Sequence, residues 1–409
     1  MDRQIVRDLA GRYYNIALSD KNAERVDLYK GVNDLKMIRP VVLINEIPWH
    51  EMNIDGELDL KCENGKMREL ESFFRIELFK QKYFPCDNYL KPYYPVFKSG
   101  SFARMTGLEI DERQLQNPAG GNVASHEFHD VLKTEEDLEK LHWIPGEYDR
   151  ESTMQQFLFV ADVIGDIMPV KVTGHQVDMG HTLWDEVAYF RGVTNLLNDL
   201  VERPDFMHKI ARKITDGYIQ TIQDAVKNNM LAPEYPDLHC SPAFTNDLAP
   251  VTDYDNVRPE NVWGRGVAQI FGFVSPVMHD EFDMQYMIEA LKPFGLVYYG
   301  CCERLDNKIH ILKQMHNLRK ISITPWSDIN VAAEIIGTDY EMSVKPNPAN
   351  VGPGFDEDVI RNELNAVVKA AKKNNCSFDF VLKDISTVTK RPQNLIRWAQ
   401  IAMEVVTGY

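Results

Sequence analysis

Residues 284–302 read MQYMIEALKPFGLVYYGCC, and the reading of this stretch decides the fold class. Its first half is amphipathic and stops at a proline, as a helix does. Its second half, GLVYYG (295–300), is a short apolar run closed by glycines, the pattern of a strand buried on both faces. A helix followed by a buried strand is half of a βα repeat, so similar units are expected on either side.

They are present in the sequence. Apolar runs occur at VVLINEI (41–47), PVKVTG (169–174), DLHC (237–240), AQIFGF (268–273), LRKISITP (318–325), YEMSVKP (340–346) and FDFVLKDI (378–385). Amphipathic stretches lie between them. In 357–375 an apolar stripe of Val359, Leu364, Val367, Val368 and Ala371 faces away from lysines. Eight candidate strands with intervening helices, and no glycine-rich dinucleotide fingerprint after the first, predict an α/β fold of the (β/α)8 TIM-barrel type spanning 1–409. Residues 51–145 interrupt the repeat with a charged helix (65–84), an apparent hairpin (93–111) and the loop NPAGGN (117–122). They are expected to form an elaboration over the barrel mouth.

Composition narrows the function. With 45 basic and 61 acidic residues the formal charge is −16, which disfavours nucleic acid and anionic membrane as partners. The start is charged and lacks a signal-peptide pattern, and no apolar run is long enough to span a bilayer. The six cysteines form no regular framework, so reduced thiols in a cytoplasm are expected.

In such barrels chemistry sits at the C-terminal ends of strands. Reading those ends yields Trp49 and His50, then His175, Asp178 and His181, then His239 and Cys240, then Cys301, Cys302 and Glu303. Trp326, Lys345, Asn347 and Asp384 complete the set. Thiolate, imidazole and carboxylate together suit zinc, so His239, Cys301, Cys302 and Glu303 are a candidate metal set. Packing of one cysteine as a small hydrophobe, and a thiolate nucleophile, are the two other readings of the pair. His175, Asp178 and Glu303 are candidate acids or bases. Trp49, His50, Tyr299, Trp326, Lys345 and Asn347 are candidate substrate contacts, the aromatics for a flat apolar body and Lys345 for an anion. His126 and His129 could share a helical face but have no third ligand nearby.

The stretch AQIFGFVSPVMHDEFDMQYMIEALKPFGLVYYG (268–300) resembles the uroporphyrinogen decarboxylase-like superfamily, with its strand, Ser-Pro, acidic-Phe helix and strand ending in glycine. YFRGVTNLLNDLVERPDFMHKI (189–210) and KTEEDLEKLHWIP (133–145) are similar to it as well, so the resemblance covers about 130–409. It implies a TIM barrel and one of two activities. The decarboxylase branch holds substrate carboxylates with arginines near the N-terminus, whereas NEIPWHEMNIDGELD (45–59) has none. The other branch moves a methyl group between a small molecule and the cobalamin of a partner corrinoid protein, using zinc held by His-x-Cys and a later cysteine. Aligned on Gly300, the His-x-Cys positions are Val297 and Tyr299 here, and KDISTV (383–388) lacks the later cysteine. The expectation is a corrinoid-dependent methyltransferase, with an aryl methyl ether or similar donor and zinc rebuilt on Cys301, Cys302, Glu303 and His239. A cofactor-free decarboxylase or lyase of a small carboxylic acid or tetrapyrrole-like substrate is the alternative, and a non-catalytic binding barrel a third.

Overall fold

The computed structural model describes residues 1–115, 125–176, 182–254 and 256–409. Eight parallel-paired strands carry the fold: β1 Val41–Ile44, β2 Tyr94–Phe97, β3 Val170–Thr173, β4 Trp263–Gly266, β5 Leu296–Tyr299, β6 Leu318–Ile323, β7 Glu341–Val344 and β8 Ser377–Leu382. Six of them form one parallel sheet in the order β1-β8-β7-β6-β5-β4, and β2 pairs with β3 in a second ladder. Among the described residues no ladder joins β1 to β2 or β3 to β4. The architecture is mixed α/β around a six-stranded parallel sheet, and these ladders alone do not close the (β/α)8 barrel expected. Every residue of β1, β4, β5, β7 and β8 is buried, because helices cover the outer face and side chains fill the inner one.

Helices Ile329–Ile336, Glu357–Asn374 and Pro392–Thr407 follow β6, β7 and β8 in turn. The helix 357–374 starts at Asp356, whose carboxylate accepts the backbone N–H groups of Asp358 and Val359, and ends at left-handed Asn375. Its buried stripe is Ile360, Leu364, Val367 and Ala371, at helical spacing, while Val359 falls outside it and is exposed. Residues 193–227 form two helices, Val193–Glu202 and Pro204–Lys227, because Pro204 opens the second. No helix among the described residues is long and apolar enough to cross a membrane.

Four expectations need correction. AQIFGF is a 3-10 turn (Gln269–Phe273), and the strand is the preceding Trp-Gly-Arg-Gly. That strand lacks an apolar run because its glycines are spacers. A Cβ on Gly264 would stand 2.6 Å from Phe294 Cγ, and one on Gly266 would stand 2.6 Å from Met287 Sδ. DLHC contributes only Asp237–Leu238, in a small antiparallel pair with Ser241–Pro242. The apparent hairpin of 93–111 is one arm of a longer ribbon. Ser99–Ser101, Arg104–Thr106 and Asp111–Leu115 pair with Glu147–Asp149, His142–Ile144 and Ser125–His129, so the returning arm runs to Asp149. His126 and His129 therefore sit on a strand, where a spacing of three puts residues on opposite faces. The loop NPAGGN lies outside the described residues.

The glycines of β4 give a direct test. Gly264→Ala is expected to lower unfolding stability by about 1–3 kcal/mol through overpacking against Phe294. Gly11→Ala, in the open helix Asp2–Ala17, is expected to raise it by about 0.5–1 kcal/mol. Urea unfolding of both variants reads the contrast.

Candidate functional site

The C-terminal ends of β5 to β8 open into a cavity of about 550 Å³ whose wall includes Cys301, Cys302, Trp326, Lys345, Asn347 and Lys383. Five of these were singled out in the sequence. Gly300 leaves β5 with φ +101°, a conformation side chains rarely adopt, and turns the chain so that the next residues bend across the sheet end. The Cys301 N–H then donates to Glu303 Oε2 at 2.9 Å, and the Cys301 carbonyl accepts from Ser322 Oγ at 2.7 Å. Pinned at both ends, Cys301 places its sulfur 3.4 Å from Cys302 Sγ and 3.0 Å from His239 Nε2. Cys302 Sγ in turn lies 3.4 Å from Asp384 Oδ2. All six cysteines are free thiols.

Electrostatics sharpen this row. The contact with Cys302 holds the Cys301 pKa below the ordinary thiol value despite burial, with Lys383 helping, and the same contact pushes Cys302 far up. Burial, with the nearby cations Arg265, Lys383 and Lys345, pulls His239 down to about 2, so its imidazole is neutral. Burial pushes Cys240 up to about 12. Lys383 Nζ contacts Asp384 at 2.7 Å and Glu46 at 3.4 Å. Burial works against its charge, but the Cys301 sulfur and Asp384 outweigh it and raise the pKa. Lys345 Nζ, also buried, donates to Ser241 Oγ at 2.9 Å and Ser343 Oγ at 2.5 Å.

The backbone is strained at this place. Glu46, His239, Cys240 and Asp384 all have positive φ, at 50°, 44°, 68° and 57°. Their contacts bring them together: Asp384 N donates to Glu46 Oε2, Cys240 Sγ to Glu46 Oε1, and Asn45 Nδ2 to the Cys240 carbonyl. Strained non-glycine residues that contact one another beside a cavity, with Asp384 on its wall, are a mark of a functional site.

Other candidates are placed elsewhere. Glu303 is buried behind the cavity wall, where Oε2 accepts the Cys301 N–H and Oε1 the Ala268 N–H, so it shapes the turn. Tyr299 is fully buried on the outer face of β5, its hydroxyl donating to Asp283 Oδ2 at 3.0 Å and 2.8 Å from His279 Nε2. Val297 shares that face, whereas Tyr298 points inward, its ring beneath Lys345. The His-x-Cys positions aligned above thus face away from the cavity. Trp49 packs edge-on against Phe79, and half-exposed His50 stands 3.6 Å from Glu51; neither lines the cavity. His175 follows β3 in the other ladder, its Nε2 2.6 Å from the Lys98 carbonyl and its ring between Phe97 and Phe102. Asp178 and His181 lie outside the described residues. Asn347 caps the turn 348–351 through Ala349 N, and Trp326 is 67% exposed at the rim.

Sequence reasoning passed over Glu46 and Lys383 and gave Asp384 no role. The rule that found the cysteines would have found them, since they directly follow the ends of β1 and β8.

As donors for zinc, the imidazole and two thiols suit the metal in type. Their contacts run as a row, and among the described residues no group of three or more His, Cys, Asp or Glu side chains is arranged to hold an ion. Glu303, spent on the N–H groups of Cys301 and Ala268, does not join them.

Behind β5, burial raises Asp185 to about 6. An unfolded Asp titrates near about 3.9, so between about pH 4 and 6 the native state holds the extra proton and stability falls as pH rises. A urea series across this window is expected to show that slope, and Asp185→Asn, which still accepts the Ile270 N–H, is expected to flatten it.

No protein-family model and no curated protein matches the chain. Among solved structures it is similar to a methyltransferase from Methanosarcina mazei, with a TM-score of 0.50 and 10% sequence identity over 92% of this chain and 96% of that one. The likeness is one of fold.

Proposed function

We propose that the chain is a methyltransferase that takes a methyl group from a small methylated donor, such as an aryl methyl ether, for the cobalamin of a partner corrinoid protein. The observation that carries the proposal is the pair Cys301–Cys302 on the wall of a cavity at the strand ends, with His239 in contact with the Cys301 sulfur. The fold likeness to a methyltransferase supports it, and on this reading the two ladders belong to one (β/α)8 barrel. A volume of about 550 Å³ suits a small donor.

Each residue has a task that its surroundings allow. Trp326 at the rim offers a flat face to an aromatic donor. Negative charge develops on the donor heteroatom as its bond to the methyl carbon breaks, and the buried ammonium groups of Lys345 and Lys383 stabilise it in a low-dielectric wall. Lys383, held by Asp384 and Glu46, is better placed to protonate the leaving group than His175, which is not at this cavity. Zinc, held by His239, Cys301 and Cys302, would supply Lewis-acid polarisation of a heteroatom.

Methyl transfer from an aryl methyl ether, assayed with a corrinoid protein, is expected to fall at least about 100-fold in Cys301→Ser, roughly 2.7 kcal/mol of barrier. His50→Ala, on the half-exposed side chain outside the cavity, is expected to stay within about twofold of the parent. Release of carbon dioxide from a carboxylic acid with no corrinoid requirement would instead establish the decarboxylase alternative. Metal binding is tested separately. The metal-stripped chain, titrated with Zn²⁺ against a chromophoric chelator, is expected to bind one equivalent; His239→Ala and Cys301→Ser lose it and Glu303→Gln keeps it. Equal binding by all four proteins would remove zinc from the proposal.

A further inference from the structure

Two thiols adjacent in sequence do not normally meet, because neighbours on an extended chain point to opposite faces. Here they do. The turn at Gly300, the carboxylate of Glu303 on the Cys301 N–H and the hydroxyl of Ser322 on its carbonyl bring the two sulfurs to 3.4 Å. Both line the cavity, Cys302 is exposed, and the space beside them admits a small oxidant. Cys62, Cys86 and Cys376 are buried, and neither they nor Cys240 line that cavity.

We propose that Cys301 and Cys302 form a reversible oxidation site, which a peroxide closes into a disulfide between adjacent residues on the cavity wall. The Cys301 sulfur attacks one oxygen of hydrogen peroxide; the S–O bond forms, the O–O bond breaks, and the departing hydroxide takes the Cys301 thiol proton and leaves as water. The Cys302 sulfur then attacks the Cys301 sulfur. The S–S bond forms, the S–O bond breaks, and hydroxide leaves with the Cys302 proton as a second water. Two thiols lose two electrons and two protons, and the peroxide is reduced to two waters.

Adjacent Cα atoms are about 3.8 Å apart, below the roughly 4.4 Å at which ordinary disulfides begin. The closed form is therefore strained and easily reopened by a thiol, which is the behaviour of a regulatory bridge and not of a structural one. Closure removes the thiol that contacts His239. That this stops methyl transfer rests on the function proposed above; the bridge itself does not.

The test uses the full chain, treated with hydrogen peroxide, then denatured, alkylated with N-ethylmaleimide and digested. The peptide carrying both cysteines is expected to be two hydrogens lighter than its reduced form and free of alkyl groups, and dithiothreitol before alkylation restores two alkyl groups. Cys240→Ser is expected to leave this result unchanged, whereas Cys302→Ser diverts Cys301 to a sulfinic acid at the same dose. Two alkyl groups after peroxide, a sulfinic acid in the parent chain, or a bridge involving Cys240 would overturn the proposal. In parallel, methyl transfer is expected to drop at least about tenfold on oxidation and to return with dithiothreitol. A reduced chain that transfers no methyl group sinks the function proposed above, and mass measurement still decides the bridge.

Discussion

The structure hangs on an ionic contact sealed inside the parallel sheet. Lys320 of β6 is paired directly across the ladder with Glu341 of β7, at 3.5 Å, and reaches Asp379 of β8 at 3.3 Å. All three are buried. Burial, and then the neighbouring Asp379, raise Glu341 well above the usual carboxylate range, toward its neutral form. That shift lessens the uncompensated charge in the cluster, which a low-dielectric interior penalises. Sliding either strand by one residue would turn these groups onto the helix-covered face, where nothing pairs them. The contact therefore sets the register of three strands, and with it the level at which each one ends.

From that contact a polar column climbs to the cavity. Ser343 Oγ donates to Asp379 Oδ1 at 2.8 Å, and Lys345 Nζ donates to Ser343 and Ser241 one layer higher. Above Lys345 stand the thiols, Lys383 and Asp384. The inner positions of β7, Glu341, Ser343 and Lys345, are thus polar along the strand, an arrangement that costs desolvation at every layer and stabilises less than an apolar filling would. It is coherent as the footing of a site whose cations must be fixed before a ligand arrives.

How much of this was legible in the sequence depended on what each residue does physically. Strands rich in apolar side chains, such as those at 296–299 and 377–382, were read within three residues at each end. The strand at 263–266 was invisible because its glycines exist to let Phe294, Met287 and Leu291 press against the backbone, a demand set by the partner helix. The ribbon was half legible: its turn-rich arm suggested a local hairpin, but pairing with 125–149 is non-local and leaves no short-range mark. Site residues followed the same division. Cys301, Cys302, Lys345 and Trp326 were found by position at strand ends. Tyr299 was misplaced because a strand's parity, inward or outward, is fixed by which neighbour it packs on, and Tyr298 won the inner face.

The double cysteine itself is best understood as part of a four-residue device, Gly300-Cys301-Cys302-Glu303. Remove the glycine and a Cβ would stand 2.6 Å from Leu305 Cδ1 in a backbone conformation few side chains adopt, so the chain could not leave β5 at this angle. Remove the carboxylate and the N–H groups of Cys301 and Ala268 lose their acceptor inside the protein, freeing the turn that holds the two sulfurs side by side. Glycine supplies the bend, glutamate fixes it, and the two thiols between them are held in contact by the backbone instead of by a ligand. The acid that the sequence offered as a metal donor is for this reason more consequential as a backbone clamp: without it, the adjacent cysteines would revert to pointing apart, as neighbours on a strand do.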